Sequence, residues 1–223
     1  MFHRMRLQIL RICILVAGLA GAQTKVTPES VKLVGDRFKP LKYDEMTPEQ
    51  KTMVEHMLSG ERGGMGGPFN VLLRSPEMGD LGQQLGARMR FHNSLPDNVR
   101  ETVIILTGRW WMAQYEWIAH KRLALQAGVS PAVVDAIAAG KRPSGLDPKM
   151  EAAYNFITEL YKTRQVSDAT FAAAKAQFGE RGVVDMIGLS GWYDIVCKAL
   201  DVDRYPLAAG AKPELKPLAN PFP

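Results

Sequence analysis

Glu101-Thr102-Val103-Ile104-Ile105-Leu106-Thr107-Gly108-Arg109-Trp110-Trp111-Met112-Ala113-Gln114-Tyr115-Glu116-Trp117-Ile118-Ala119-His120 is the stretch that decides the fold. Upstream, Ser94-Leu95-Pro96-Asp97 reads as a helix-capping signature; downstream, Ala127-Gly128 offers the glycine that suits a left-handed position past a helix end. The spacing predicts one helix from about Leu95 to Trp110, with Val103, Ile104 and Leu106 on its buried face, and a second from about Met112 to Gln126. No period-two alternation interrupts them, which argues against strands. In the second helix Glu116 and His120 stand four residues apart, so they stack on one face. A carboxylate and an imidazole so placed among bulky apolar neighbours can hold a proton near neutral pH, the minimum equipment for general acid–base chemistry. On spacing alone a salt-bridged surface pair fits as well.

Working outward, the same helical logic recurs. Thr47-Pro48-Glu49-Gln50 starts a helix reaching Leu58, with Thr47 as N-cap and Gln50 at the capping-box position. The run Gly60-Glu61-Arg62-Gly63-Gly64-Met65-Gly66-Gly67-Pro68 lacks the Gly-Lys-Ser/Thr ending of a phosphate-binding loop and follows no strand, so it reads as a lid beside a pocket or as a plain linker. A helical pair follows from Phe69 and from Ser75-Pro76, the latter with Leu81, Leu85 and Met89 on one face. Ser130-Pro131 starts a helix carrying Val133, Val134 and Ile137. Pro148 to Thr163 places Met150, Tyr154, Ile157 and Tyr161 on one stripe, Ser167 caps a helix reaching Phe178, and Arg181 to Leu200 forms another. The expected fold class is all-α, in one domain over residues 47–203. Residues 23–46 and the proline-rich residues 204–223 read as extended arms, which packing against a neighbouring subunit and plain disorder explain equally.

The first residues read as a removable leader. Arg4, Arg6 and Arg11 precede the short apolar run Ile12 to Leu19, and Ala20-Gly21-Ala22 supplies the small residues of a cleavage site, so the cut is expected after Ala22 and the protein is expected to be exported. No stable membrane anchor then remains. Of 28 Lys+Arg against 23 Asp+Glu, three arginines leave with residues 1–22, and the remaining 25 against 23 are nearly balanced. That balance, with no basic cluster interleaved with aromatics, argues against nucleic acid as a partner. Cys13 leaves too, so Cys197 alone can neither form an internal disulfide nor run a two-cysteine redox cycle. His3, His56, His92 and His120 are scattered without a His-X-X-X-His or Cys/His cluster, so no metal site is expected.

Several motifs occur together in one order: Gly67-Pro68-Phe69-Asn70, Leu72-Leu73-Arg74-Ser75-Pro76-Glu77, Ser94-Leu95-Pro96, Arg100-Glu101, Gln114-Tyr115-Glu116-Trp117-Ile118-Ala119-His120, Ala127-Gly128-Val129-Ser130, and Phe178-Gly179-Glu180-Arg181-Gly182-Val183-Val184-Asp185. In these the chain, from about residue 45 to 203, resembles the carboxymuconolactone decarboxylase-like proteins. The resemblance implies the all-helical, usually oligomeric fold shared with alkylhydroperoxidase D-like proteins, in which a helix Glu and a helix His assist a Cys-X-X-Cys pair that reduces peroxides. Glu101 falls on the relay Glu and His120 on the relay His, whereas Ala113 and Glu116 occupy the two cysteine positions. Thiol peroxidase chemistry by that route therefore has no nucleophile here.

The decarboxylase branch needs no sulfur and no cofactor. Losing carbon dioxide from an unsaturated lactone acid leaves a carbanion that needs a proton donor and a cationic or hydrogen-bonding grip. The expected catalytic set is His120 as donor with Glu101 or Glu116 as its orienting partner. Arg109 is the expected anion grip, Tyr115 and Trp117 the pocket walls, and His92 a further lining residue. Arg109 paired with Glu116 or Asp185 in a purely structural role fits the sequence equally. Trp110, Trp111, Trp192 and Tyr193 read as core. The expected ligand is a small organic acid or lactone and the expected assembly a homo-oligomer. The competing class is a non-catalytic oligomeric binding protein on the same fold.

Overall fold

The computed structural model describes residues 26–222. The leader, its cleavage site and Cys13 lie outside the described residues. Among these there are eight α-helices and no strand: α1 (Pro48–Ser59), α2 (Phe69–Leu72), α3 (Pro76–Phe91), α4 (Asp97–Trp111), α5 (Gln114–Gln126), α6 (Pro131–Ala138), α7 (Pro148–Thr163) and α8 (Asp168–Asp203). The protein is all-α, and no described helix is long and apolar enough to cross a membrane.

α4 is the hub. Every residue from Glu101 to Arg109 is buried, so this helix is covered on all sides rather than along one stripe, the signature of a central helix. It packs against α5, α7 and α8. Its buried hydroxyls are satisfied locally: Thr102 Oγ1 donates to Asn98 O at 2.7 Å and Thr107 Oγ1 to Val103 O at 3.0 Å. Met112, at φ 56°, closes it in the left-handed conformation that glycine usually supplies, and Ala113 N–H returns to Gly108 O at 3.0 Å. Two residues of turn therefore fold α5 back onto α4.

Most helix starts follow the sequence. Thr47 accepts from Gln50 N–H, with the reciprocal bond from Thr47 N–H to Gln50 Oε1. Asp147 accepts from both Lys149 N–H and Met150 N–H. The break expected between Phe178 and Arg181 is a kink within α8, where Gly179 takes φ 66° and ψ 177°.

Three expectations need correction. Ser94 does not cap α4: its hydroxyl and N–H both donate to Asp185 Oδ2, at 2.6 and 2.8 Å, and Pro96 stands at the cap position. On α3, Met89 is buried but Leu81 and Leu85 are exposed, at 70% and 44%. The inward face is Gly79, Gln83, Gly86 and Met89, because the indole of Trp192 lies where a Cβ on Gly86 would be, 2.3 Å from its Cε2.

The third correction concerns the arms, both of which pack on their own chain. Residues 26–46 carry two short 3-10 turns, Pro28–Ser30 and Tyr43–Glu45, and bury Leu33 and Met46. The fully buried Asp203 accepts from Asp36 N–H and Phe38 N–H at 3.2 and 2.8 Å. The proline-rich tail is tied to α5 by Gln114, whose Oε1 accepts from Glu214 and Leu215 N–H while its Nε2 donates to Leu215 O. Phe222, 2% exposed, stacks on Trp110 and Tyr161 at 5.7 and 6.3 Å between ring centres.

Candidate active site

Glu101 sits in the buried first half of α4, and Glu116 in the first turn of α5, where the helix N-terminus favours a carboxylate. His120 follows one turn later, and the α4–α5 turn swings it between them. Its Nδ1 lies 2.7 Å from Glu101 Oε2, and its Nε2 lies 3.0 Å from Glu116 Oε1. Tyr193 Oη, from α8, lies 3.3 Å from the same Nε2, its ring edge-on to the imidazole. The three residues of the triad are 3–5% exposed. Arg100 Nε approaches the other oxygen of Glu101 at 3.5 Å.

This packing sets protonation. Burial alone pushes His120 down, but the charge of Glu116, hydrogen bonds to Glu101 and Glu116, and the charge of Glu101 outweigh it and hold the imidazole up at about 9. At neutral pH both ring nitrogens therefore carry protons, Nδ1–H donating to Glu101 and Nε2–H to Glu116. Burial, followed by the charge of Glu116, pushes Tyr193 well above the ordinary phenol value. Burial, then Tyr205 and Glu116, raises Tyr115 to about 12. Both phenols keep their protons and act as hydrogen-bond donors.

His120 and Glu116 border a cavity of about 180 Å³, together with Tyr115, Trp192, Tyr193 and the arginines Arg62, Arg90 and Arg122. The glycine-rich segment between α1 and α2 supplies Arg62, Gly66 and Gly67 to its wall. Gly67, at φ 76°, donates its N–H to Tyr205 Oη at 3.2 Å, and Tyr115 packs on Tyr205 at 4.5 Å between ring centres. The loop is thus seated on a tyrosine pair at the cavity wall. Glu101 lies behind His120 and does not border the cavity.

The other expected residues go elsewhere. Arg109 is fully buried, but its Nη2 donates to Lys216 O at 2.9 Å and it does not border the cavity. It pairs with neither Glu116 nor Asp185; the tail takes it instead. Trp117 is buried against the same tail, its Nε1 donating to Glu214 Oε2 at 3.1 Å. His92 is exposed, contacts Glu61 and lies outside the cavity wall. Of the expected wall residues only Tyr115 is there. Cys197 is buried, and burial raises its thiol well above the ordinary value, so it presents no thiolate.

Arg62, Arg90, Arg122, Trp192 and Tyr193 are among the wall residues that the sequence reading passes over as site residues. Trp192 and Tyr193 look like core, and are core, yet both border the cavity. The signal for Arg62 is a charged side chain inside a glycine run that otherwise offers none but Glu61.

Comparison with family models and with curated proteins returns no match for this chain. Fold and site together define an all-helical protein with a buried Glu–His–Glu triad, sulfur-free, at the wall of an arginine-lined cavity.

Proposed function

We propose that the chain is a cofactor-free acid–base enzyme acting on a small organic acid or lactone, on the helical fold of the carboxymuconolactone decarboxylase-like and alkylhydroperoxidase D-like proteins. The observation that carries this reading is the doubly held His120: a protonated imidazole, gripped by Glu101 behind and Glu116 beside, bordering a cavity of ligand size. The competing binding-module reading requires no such arrangement of acid, imidazole and cavity.

The chemistry follows from the geometry. When a carbon–carboxylate bond breaks, carbon dioxide leaves and its electron pair stays on carbon, delocalised into a neighbouring carbonyl. His120 delivers the Nε2 proton to that carbon and becomes neutral. Glu101 keeps hold of Nδ1–H, fixing the ring and its tautomer. Tyr193 Oη can then donate to the vacated Nε2 until solvent restores the proton. Tyr115, which stays protonated, offers a hydrogen bond to the developing oxyanion.

Export and homo-oligomerisation belong to the same proposal. Exposed Leu81 and Leu85 on α3, and Val184 and Ile187 on α8, support a self-association surface, since these two helices pack together. Light scattering on wild type and Leu81→Lys would show a smaller particle for the variant.

The decisive experiment is a turnover screen of lactone acids and peroxides with wild type and His120→Ala. Turnover of a lactone acid by wild type, lost at least a hundredfold in His120→Ala, is expected. Full turnover by the variant on the same substrate sinks the assignment.

A further inference from the structure

The cavity has an acidic side and a basic side, and they do not cancel. Glu116, with Glu101 behind His120, makes the acidic side, and both of these carboxylates are engaged by His120; Arg62 and Arg90 make the basic side. Exposed Arg122 adds a further cation at the wall, bonded only to the neutral amide of Gln126 at 3.1 Å. Among the described residues neither Arg62 nor Arg90 has a carboxylate within ion-pair distance, unlike Arg100, Arg142 and Arg204.

Arg62 is the more unusual of the two. Its Nε and Nη2 are buried with no acceptor. These two nitrogens form the side-on fork of the guanidinium, the face that matches a carboxylate with two parallel hydrogen bonds. The group is sandwiched 5.1 Å from the Phe69 ring and 5.9 Å from Phe91, and Phe91 also carries Arg90 at 5.2 Å. Aromatic stacking holds both cations beside the cavity without neutralising either. Leaving guanidinium donors unpaired in a buried place is costly, so a turn of the side chain that brings this fork to an acceptor arriving in the cavity recovers that cost.

The geometry points to Arg62 and Arg90 as the specificity-determining grip of the site, receiving a carboxylate of one small, flat, unsaturated acid whose body lies against Trp192 and Tyr193 and whose reacting carbon meets His120. Flatness follows from the aromatic walls. Small size follows from a volume below the roughly 300–1,000 Å³ of drug-sized ligand sites. This deepens the acid–base reading and rests on it for the role of His120, but the grip itself is a binding claim and is tested as one.

Calorimetric titration of the full chain with benzoate, and with the uncharged isostere benzamide, measures it. Benzoate should bind and benzamide at least tenfold more weakly. Arg62→Gln should weaken benzoate at least tenfold, and Arg62→Lys should recover only part of that, because lysine supplies the charge but not the fork. Arg90→Gln should weaken it severalfold. Arg88→Gln, exposed on the same helix and outside the cavity, should bind as wild type. His120→Gln should still bind benzoate within a few-fold while losing turnover, so that failure of the proton donor and failure of the grip read out separately. Equal binding of benzamide, no detectable benzoate binding by wild type, or unchanged benzoate binding in the Arg62→Gln/Arg90→Gln double variant with native helicity would overturn the proposal.

Discussion

Glu101 and His120, nineteen residues apart on two helices, meet at 2.7 Å with the imidazole proton between them. The contact depends on one short turn. Met112 in the left-handed conformation closes α4 and lets α5 return at once, and a longer connection would leave Glu101 buried without its partner.

Stability should fall as the solution is made alkaline. The folded protein holds the His120 proton up to about 9, whereas the unfolded chain releases it near the ordinary histidine value of about 6.5. More protons are bound in the folded state within that window, so the triad's contribution is complete below it and is lost as pH rises through 9. The loss amounts to roughly 3 kcal/mol. Urea unfolding between pH 6 and 9.5 checks this, and the slope should disappear in His120→Gln.

The two glutamates should not be equivalent. The charge of Glu116 is the largest of the effects that hold His120 up, so Glu116→Gln should lower its titration midpoint more than Glu101→Gln does. Histidine ring NMR resonances report the midpoints directly. An equal or reversed ordering would contradict the electrostatic account given for the triad.

Gly86→Ala tests the packing of the aromatic wall. The added methyl meets Trp192 at 2.3 Å, and an indole seated in a helix interface cannot retreat that far. A destabilisation of about 1–3 kcal/mol is expected, partly offset by the better helix propensity of alanine. Gly82→Ala, where the nearest indole atom is 3.0 Å away, should cost less. Thermal unfolding of the pair ranks them.

Gln114→Ala should release the tail while sparing the triad. Three hydrogen bonds to Glu214 and Leu215 are lost, worth about 1–3 kcal/mol together. Limited proteolysis should then cut within residues 204–222 faster than in wild type. Unchanged protection would mean that Phe222 and Leu215 alone hold the segment.

Helix positions and the triad were readable because they obey local rules. Capping residues, proline at first turns and i,i+4 spacing act within a few residues of themselves, and Thr47, Ser130 and Ser167 all cap the helices they appear to cap. What local rules miss is competition over distance. Ser94 looks like a cap but is claimed by Asp185, ninety-one residues on. Arg109 and Trp117 look like site residues because they flank His120 in sequence, yet helix geometry turns them toward the tail, whose polar groups take them. Leu81 and Leu85 look like core, but α3 is oriented by the glycines that admit Trp192. Arg62 becomes visible only once a loop far from α5 is seated on Tyr115 and Tyr205.

A triad whose proton-handling atoms are all oxygen and nitrogen has a chemical temperament of its own. Thiol centres must be regenerated by a reductant after each oxidation, and they fail when an oxidant drives them past the reversible stage. Glu101, His120 and Glu116 offer an oxidant no sulfur to consume. On the acid–base reading proposed above, such a site can run in surroundings where no partner delivers electrons, needing only water to replace the proton it gives away.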